Sequence, residues 1–251
     1  MLNILKAEQI KTTTIPRPRQ EIIDAYYSLS TSDLAGLVAR ALDRMGIHTT
    51  IPSSILEAVQ PGKLLVGPAI TVRNIPIQAT PYRAWQDEMP TLLGEREAFF
   101  LAETGDVIVI DGTSVFPASC LGSMALTVAG HLGVAGVVVD GAVTGLPGIR
   151  KGPIPTWARS GTTVTGHQRV ETIEINGPLG LHGVRVNPGD LVVADDSGVT
   201  FVPQPLIEIV LAEAQSLKEK GAGVQQILAT NSDRETLRAE LSGFITNLAK
   251  K

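Results

Sequence analysis

Two runs of apolar, mostly β-branched residues, 107–110 and 134–139, lie close together in the middle of the chain. Continuous runs of this kind are typical of strands that are buried on both faces of a sheet. Residues 122–132 between them indicate a helix, which ends at Gly133. A strand, a helix and a strand in this order predict a right-handed crossover between two parallel strands. Sites in such sheets form beyond the carboxyl ends of the strands, so we expect the chemistry of this protein there.

The hydrophobic pattern before this central unit predicts helices over residues 21–29 and 33–45, a strand over 64–75 and a helix over 91–103. Residues 76–90, between that strand and the helix that follows it, are predicted as an irregular loop. The N-terminal stretch that precedes the first helix is polar and punctuated by prolines, which favours an extended arm that packs against another surface.

Turn signals after the central unit separate short apolar segments that are predicted as strands. These segments are residues 154–158, 170–175, 184–186, 191–194 and 199–202. A helix over 206–220 is predicted to end at Gly221, and Ser232 with Glu235 forms a capping box that opens a last helix.

The predicted fold is one α/β domain over residues 32–204, between an N-terminal arm and helix (1–31) and C-terminal helices (205–251). A net charge of −4 gives no argument for a nucleic acid or an anionic membrane as partner. No stretch approaches the ~20 uninterrupted apolar residues of a membrane span. The single cysteine excludes an intramolecular disulfide and, with an N-terminus that has no long apolar segment, favours a cytoplasmic location.

The start of the central helix is the first candidate for a binding site. It consists of Gly122, Ser123, Met124 and Ala125, which are mostly small and allow close approach to the backbone. The free N–H groups and the dipole of a helix start favour a carboxylate or phosphate. Thr144, after the second strand, could add a hydrogen bond to that ligand or bond to its own backbone. These residues predict a site for a small carboxylate, with a simple helix cap as the alternative.

Two aspartates, Asp111 and Asp140, end the neighbouring central strands. Their carboxylates could hold a proton or a metal ion in catalysis, or they could cap turns, as strand-end aspartates often do. Arg150 lies at the end of the next short helix. Its positive charge could bind an anionic substrate, or the side chain could remain solvated.

The loop 76–90 holds aromatic and charged residues that suit a substrate lid, since long loops inside compact domains are often functional. We assign Arg83 and Glu88 to catalysis and Trp85 to substrate binding. His167 could face the site of a neighbouring subunit. Cys120 could be activated by the helix start that follows it, or could be a buried thiol.

Three motifs with the small-residue helix start carry a family resemblance: GDVIVIDG, GVAGVVVDGAV and VNPGDLVVADDSGVTFVP. With these motifs the chain, from about residue 32 to 203, resembles the RraA-like family. That family contains regulators of ribonuclease E activity and the 4-hydroxy-4-methyl-2-oxoglutarate/4-carboxy-4-hydroxy-2-oxoadipate aldolases. The resemblance implies an α/β/α swivelling-type domain, assembled as a homotrimer or as a hexamer made of two trimers.

The chain departs from the aldolases of this family at three charged positions. The aldolases read DGAVRD where this chain reads DGAVTG, so that the substrate-binding Arg falls on Thr144 and the metal-ligating Asp falls on Gly145. A further acidic residue, which positions metal-bound water, falls on Ser123. The amides that bind the pyruvyl carboxylate fall on Met124 and Ala125, where no particular side chain is needed. The resemblance implies Mg²⁺ or Mn²⁺ as cofactor, but these hard cations need oxygen ligands, mostly carboxylates, that this site lacks.

Three functions remain open at this point. One is an enzyme on a small oxo- or hydroxy-carboxylic acid without the usual metal site, lyase-like (aldolase, decarboxylase or dehydratase) or isomerase-like. Here Trp85, Arg83, Glu88 or Arg150 would replace the missing charges. The second is a conventional divalent-metal aldolase, or decarboxylase, with recruited ligands such as Asp111 or Asp140. The third is a catalytically inactive binding or regulatory protein.

Overall fold

A mixed β-sheet runs through the middle of the molecule. The computed structural model describes residues 5–29, 33–230 and 233–249. Its strands are β1 (Thr50–Pro52), β2 (Glu57–Ala58), β3 (Leu65–Pro76), β4 (Val107–Asp111), β5 (Ser119–Gly122), β6 (Gly136–Thr144), β7 (Thr156–Gly161), β8 (Val170–Ile175), β9 (Leu179–Leu181), β10 (Val184–Val186), β11 (Leu191–Asp195) and β12 (Gly198–Val202). Over the described residues, ten of these strands form one sheet in the order β1-β12-β11-β3-β4-β6-β7-β2, with β5 paired to β6 and β8 to β3. The strands β9 and β10 form a separate hairpin.

Helices pack against the sheet, and further helices precede and follow its strands in the chain. They are α1 (Gln20–Ser28), α2 (Leu34–Asp43), α3 (Pro81–Gln86), α4 (Glu95–Leu101), α5 (Ser123–His131), α6 (Leu146–Lys151), α7 (Ile207–Thr230) and α8 (Arg234–Ala249). The α/β fold class predicted from the sequence is confirmed. No helix within the described ranges is both long enough and apolar enough to cross a membrane.

The predicted strand, helix and parallel strand of the central unit form, but the second strand continues to Thr144 instead of ending at Val139. The strands β4 and β6 pair in parallel, from Val107 opposite Gly136 to Asp111 opposite Asp140, and α5 lies between them in the chain. One element was missed, because the short strand β5 precedes α5 and pairs in parallel with the end of β6. This pairing aligns the start of α5 with the end of β6, which positions the candidate site.

The core divides along the two faces of the sheet. On one face, α4 and α5 bury residues such as Phe99, Ile110 and Val139. On the other face, the β9–β10 hairpin covers a cluster that includes Trp157 and Phe201. A third cluster lies between α1, α2 and α7 and the strands β11 and β12. Alternation along a strand therefore decides which layer a side chain enters.

The predicted end of the long C-terminal helix at Gly221 was wrong. The helix α7 continues through Gly221 to Thr230, since a glycine inside a helix costs only about 1 kcal/mol and tertiary packing outweighs it. That packing involves the next helix, because a Cβ atom on Gly223 would lie 2.6 Å from the Phe244 ring of α8. The predicted cap residue of α8, Ser232, lies outside the described residues. Asp233 accepts a hydrogen bond from the Thr236 N–H group at 2.8 Å.

The loop 76–90 was also predicted incorrectly, because it contains the short helix α3. Thr80 accepts a hydrogen bond from the Arg83 N–H group at 3.3 Å, and Pro81 stands in the first turn, where its missing N–H is no loss. The next helix, α4, begins at Glu95 rather than at residue 91. Glu95 thereby becomes the first residue of this helix, and its side chain is buried.

The N-terminal arm packs against its own domain over its described part. The Arg17 guanidinium group donates to both carboxylate oxygens of Asp106, from Nε at 3.0 Å and from Nη2 at 2.8 Å. Asp106 is buried, and Ile15 of the arm enters the core beside α4. The hydrogen bond and the charge of Asp106 raise the pKa of Arg17 further above its ordinary value.

Candidate functional site

A cavity of about 350 Å³ opens where β5 runs into α5. The residues that carry its chemistry come from α4, β5, the end of β6 and the segment before β8. They are Glu95, Arg96, Ser119, Gly122, Thr144 and His167. Small-ligand sites in proteins occupy about 300–1,000 Å³, so this volume suits a small molecule.

The start of α5 lies at the wall of this cavity, as the sequence predicted for a ligand site. Gly122 precedes the helix with extended backbone (φ −125°, ψ 163°) and provides no side-chain cap. The first N–H groups of a helix have no partner within the helix and can bind an anion. A Cβ atom on Gly122 would lie 3.0 Å from the Thr144 hydroxyl oxygen, so a side chain there would crowd the cavity wall.

Two hydroxyl groups stand beside the helix start. Thr144 lies opposite Gly122 in the parallel pairing of β5 and β6. The Ser119 hydroxyl donates to the Leu121 carbonyl at 2.7 Å, and it lies 3.4 Å from the Thr144 hydroxyl. The single proton of Ser119 is used by Leu121, so Thr144 can direct its own proton to a ligand.

Glu95 is the cavity residue with the most unusual environment. It is 5% exposed, and within the described part of the chain its Oε2 atom has no hydrogen-bond partner. Burial raises the pKa of its carboxyl group to about 7, because desolvation outweighs its own backbone hydrogen bond and the charge of Arg96. The guanidinium of Arg96 comes no closer than 3.9 Å from its Nε to the Glu95 Oε1 atom. Sequence reasoning missed Glu95, since nothing in the local pattern distinguishes it from Glu97.

The predicted catalytic pair Asp111 and Asp140 lies on the other face of the sheet. Both alternate with Val109 and Val138, which belong to the layer under the β9–β10 hairpin. Asp140 is fully buried, and Arg159 Nη2 donates to its Oδ1 at 2.7 Å. The structure therefore does not bring either carboxylate to the cavity.

The neighbours of these aspartates satisfy them locally. The Thr113 hydroxyl donates to Asp140 Oδ2, and His182 Nε2 lies 3.1 Å from Asp140 Oδ1. Asp111 Oδ1 accepts from the Thr113 N–H group at 3.1 Å, which closes the turn after β4. This geometry corresponds to the turn-capping alternative for Asp111 and to a buried ion pair for Asp140.

The other predicted side chains also lie outside the cavity. Arg83, Trp85 and Glu88 are exposed on or just after α3, with Trp85 68% exposed. Arg150 lines a separate cavity of about 340 Å³ at the β2–β7 edge. Met124 on the first turn of α5 is 74% exposed, and it is not among the residues that line the cavity.

Cys120 and Ala125 are buried near the same helix start. Burial raises the pKa of the Cys120 thiol to about 12. The thiol is therefore a poor nucleophile, as expected for the buried alternative.

The sequence that builds this cavity is similar to that of known proteins. The family model for RraA-like proteins, described as Aldolase/RraA, matches residues 20–201. This chain belongs to the RraA-like family. Its similarity to that family thus covers the whole sheet and the cavity.

Relatives of this RraA-like chain have two kinds of name. A protein of Halalkalibacterium halodurans, provisionally named 4-hydroxy-4-methyl-2-oxoglutarate aldolase, is 31% identical over 179 residues, or 71% of this chain and 79% of that protein. The 4-hydroxy-4-methyl-2-oxoglutarate aldolase of Thermus thermophilus is 34% identical over 101 residues, or 40% of this chain and 61% of that enzyme. The crystal structure of Streptomyces coelicolor RraAS2, described as an unusual member of the RNase ES inhibitor RraA family, matches with a TM-score of 0.71 at 25% identity, over 84% of this chain and 99% of that one.

The residues at the start of α5 do not fit the divalent metal that the resemblance to the aldolases implies. Ser123, Thr144 and Gly145 provide hydroxyl groups or no side chain, whereas Mg²⁺ and Mn²⁺ need mostly carboxylate oxygens. Gly145 has φ +77°, and a Cβ atom there would lie 2.6 Å from the Ser123 hydroxyl oxygen. In the described ranges, no group of three or more His, Cys, Asp or Glu residues could hold a metal ion. We therefore derive no chemical step through a metal.

Proposed function

We propose that this protein is a lyase-like enzyme that binds a small oxo- or hydroxy-carboxylic acid in the cavity at the start of α5. The observation that carries the proposal is the helix start at Gly122, which has no side-chain cap. Gly122 lies beside the Thr144 hydroxyl in the wall of a cavity whose volume suits a small molecule. The family membership and the relatives named as aldolases support the same substrate class and a lyase reaction.

The backbone of α5 would bind the carboxylate of the substrate. The amides at Met124 and Ala125 point along the helix axis, and the helix dipole stabilises a negative charge at that end. Thr144 would donate its hydroxyl proton to a second oxygen of the acid, since Ser119 already donates to a carbonyl. Glu95, Arg96 and His167 also line the cavity, so a small acid bound there would meet these polar groups as well.

The proposed reaction proceeds without the metal ligands of the aldolases. In those enzymes a charged Arg, a metal-ligating Asp and a further acidic residue surround the substrate. The three corresponding positions of this chain, Thr144, Gly145 and Ser123, have no charge. The stabilisation of negative charge would then come from backbone dipoles and hydrogen bonds at the start of α5.

Binding of pyruvate or oxalate, measured by calorimetry, tests the cavity assignment. Gly122→Val should weaken binding of either acid at least tenfold, because the new side chain would fill the space between the helix start and Thr144. Gly180→Val is the matched control, since a Cβ atom at Gly180 would have no neighbour within 4 Å. Unchanged binding by Gly122→Val, with the fold intact by circular dichroism, would contradict the assignment.

Turnover tests the reaction class. The purified protein should release pyruvate from 4-hydroxy-4-methyl-2-oxoglutarate or a related 4-hydroxy-2-oxo acid, as followed with lactate dehydrogenase. Gly122→Val should lose this activity together with binding. Binding without turnover of any such acid would instead favour a regulatory protein, the second candidate, which the three uncharged positions and the similarity to RraAS2 support.

A further inference from the structure

We infer that the Glu95 carboxyl group is a hydrogen-bond donor to the acid in this cavity, and that it selects acids with an oxo or hydroxyl oxygen next to the carboxylate. The inference rests on the proposed function, because it requires a small acid bound at the start of α5. It assigns a binding role to a residue that corresponds to none of the charged positions compared above.

The position of Glu95 is the first argument. It lines the same cavity as Gly122 and Thr144 but comes from α4, so it faces the ligand from a different element than the helix start. Glu95 is 5% exposed, and its Oε2 atom is without a hydrogen-bond partner among the described residues. Buried polar atoms in native proteins nearly always have a partner, so an unsatisfied one beside a cavity indicates a missing ligand group.

The protonation state of Glu95 is the second argument. Three ionisable groups lie near it: Arg96 on α4, Cys120 on β5 and His167 in the segment before β8. Arg96 is half-exposed and 3.9 Å away, and the thiol of Cys120 is buried. Burial accordingly dominates and raises the pKa of Glu95 to about 7. A carboxyl group that is neutral near pH 7 can donate a hydrogen bond, which an ionised one cannot.

These two properties determine which acid fits. The start of α5 already supplies donors for one carboxylate, so the neutral Glu95 suits a carbonyl or hydroxyl oxygen at the adjacent carbon. Ionised Glu95 would repel the ligand, since both would carry negative charge at close range. Binding of the acid should therefore be coupled to protonation of Glu95.

Calorimetry with pyruvate between pH 6 and pH 8 tests this coupling. The parent protein should bind pyruvate about tenfold more weakly at pH 8 than at pH 6, because only the form protonated at Glu95 binds. Glu95→Gln should lose this pH dependence and bind more tightly than the parent at pH 8, since the amide is a neutral donor. Glu219→Gln, on the exposed face of α7, should behave as the parent. His167→Asn should retain the pH dependence, which assigns the proton to Glu95 rather than to the imidazole.

The outcomes separate this inference from the proposed function. If the parent binds neither pyruvate nor oxalate at pH 6, the cavity assignment fails and this inference fails with it. If pyruvate binds but Glu95→Gln keeps the pH dependence of the parent, only the role of Glu95 is refuted.

A measurement without ligand provides a second check. Infrared difference spectra should show a protonated carboxyl band that disappears near pH 7 and is missing in Glu95→Gln. If no carboxyl group of the ligand-free protein titrates above pH 6, the inference is wrong whatever pyruvate does.

Discussion

Replacement of Glu95 by glutamine should stabilise the ligand-free protein at alkaline pH and leave it nearly unchanged at acidic pH. Glu95 is buried beside the cavity and its Oε2 atom has no partner in the described part of the chain. Glutamine has almost the same shape but cannot ionise. The substitution therefore isolates the free energy that the folded protein loses when this carboxyl group becomes charged.

The magnitude follows from the pKa of Glu95. Burial raises this pKa from the ordinary value of 4.5 to about 7. The unfolded chain releases the proton as the pH rises through 4.5, whereas the folded protein keeps it until about 7. The folded state binds more protons at Glu95 in this window. The contribution of Glu95 to the stability of the folded state is therefore greatest below pH 4.5, and it decreases until the pH exceeds 7. At about 1.4 kcal/mol per pKa unit, the loss between pH 5 and pH 8 is about 2–3 kcal/mol.

Urea unfolding of the parent and Glu95→Gln at pH 5, 6, 7 and 8, at one protein concentration, measures this loss. The difference in unfolding free energy between the two proteins should grow by about 2–3 kcal/mol from pH 5 to pH 8, in favour of the glutamine variant. All other titrating groups are common to both proteins and cancel. Glu219→Gln should show a constant difference near zero. A difference between Glu95→Gln and the parent that stays constant with pH would show that the carboxyl group is solvated, and would refute the reasoning.

Three further predictions concern the arm, the metal and the assembly. Arg17→Ala should lower the free energy of unfolding in urea by about 3 kcal/mol, because it leaves the buried Asp106 carboxylate without its ion pair. The control Arg19→Ala, at an exposed arginine, should change this free energy little. Equal effects of the two substitutions would show that the arm does not stabilise the domain. Calorimetry should show weak or no binding of Mn²⁺ to the parent. It should show measurable binding to the combined variant Thr144→Arg, Gly145→Asp and Ser123→Asp, although the left-handed backbone at position 145 opposes a side chain there. Tight binding by the parent would indicate recruited metal ligands. Light scattering should give the mass of a trimer or hexamer, and a monomer of 26.5 kDa would contradict the assembly.

The candidate site divides into a part that the sequence predicted and a part that it did not. The helix start at Gly122 follows from local features, whereas the strand β5, which pairs Gly122 with Thr144, was not predicted. Glu95 could not be found in this way. Its environment depends on where α4 begins and on how deeply its first turn is buried, and neither is encoded in the periodicity of residues 91–103.

For Asp140, a local rule was available, namely that sites form at the carboxyl ends of parallel strands. This rule was not sufficient to place Asp140 correctly. Asp111 ends β4 as predicted, whereas Asp140 lies inside β6, which continues to Thr144. The alternation of these aspartates with Val109 and Val138 places both on one face. The sequence does not determine which face of the sheet packs against α5, because that depends on how the chain crosses from β4 to β6. The buried contact with Arg159 of β7 completes the role of Asp140 as an ion-pair partner.

By itself, the sequence determined the elements whose apolar residues repeat at the period of a strand or a helix, together with the family motifs. The central strands, α5 and the helix start at Gly122 belong to this group, since their signals are local. The tertiary structure decided which polar residues share a layer, as with Glu95 at the cavity and Asp140 away from it. It also decided that α7 passes through Gly221, since the contact of α7 with α8 two residues further on, at Gly223, outweighs a weak local preference. Burial depends on the whole fold, so the protonation of Glu95 can be read only from the assembled domain.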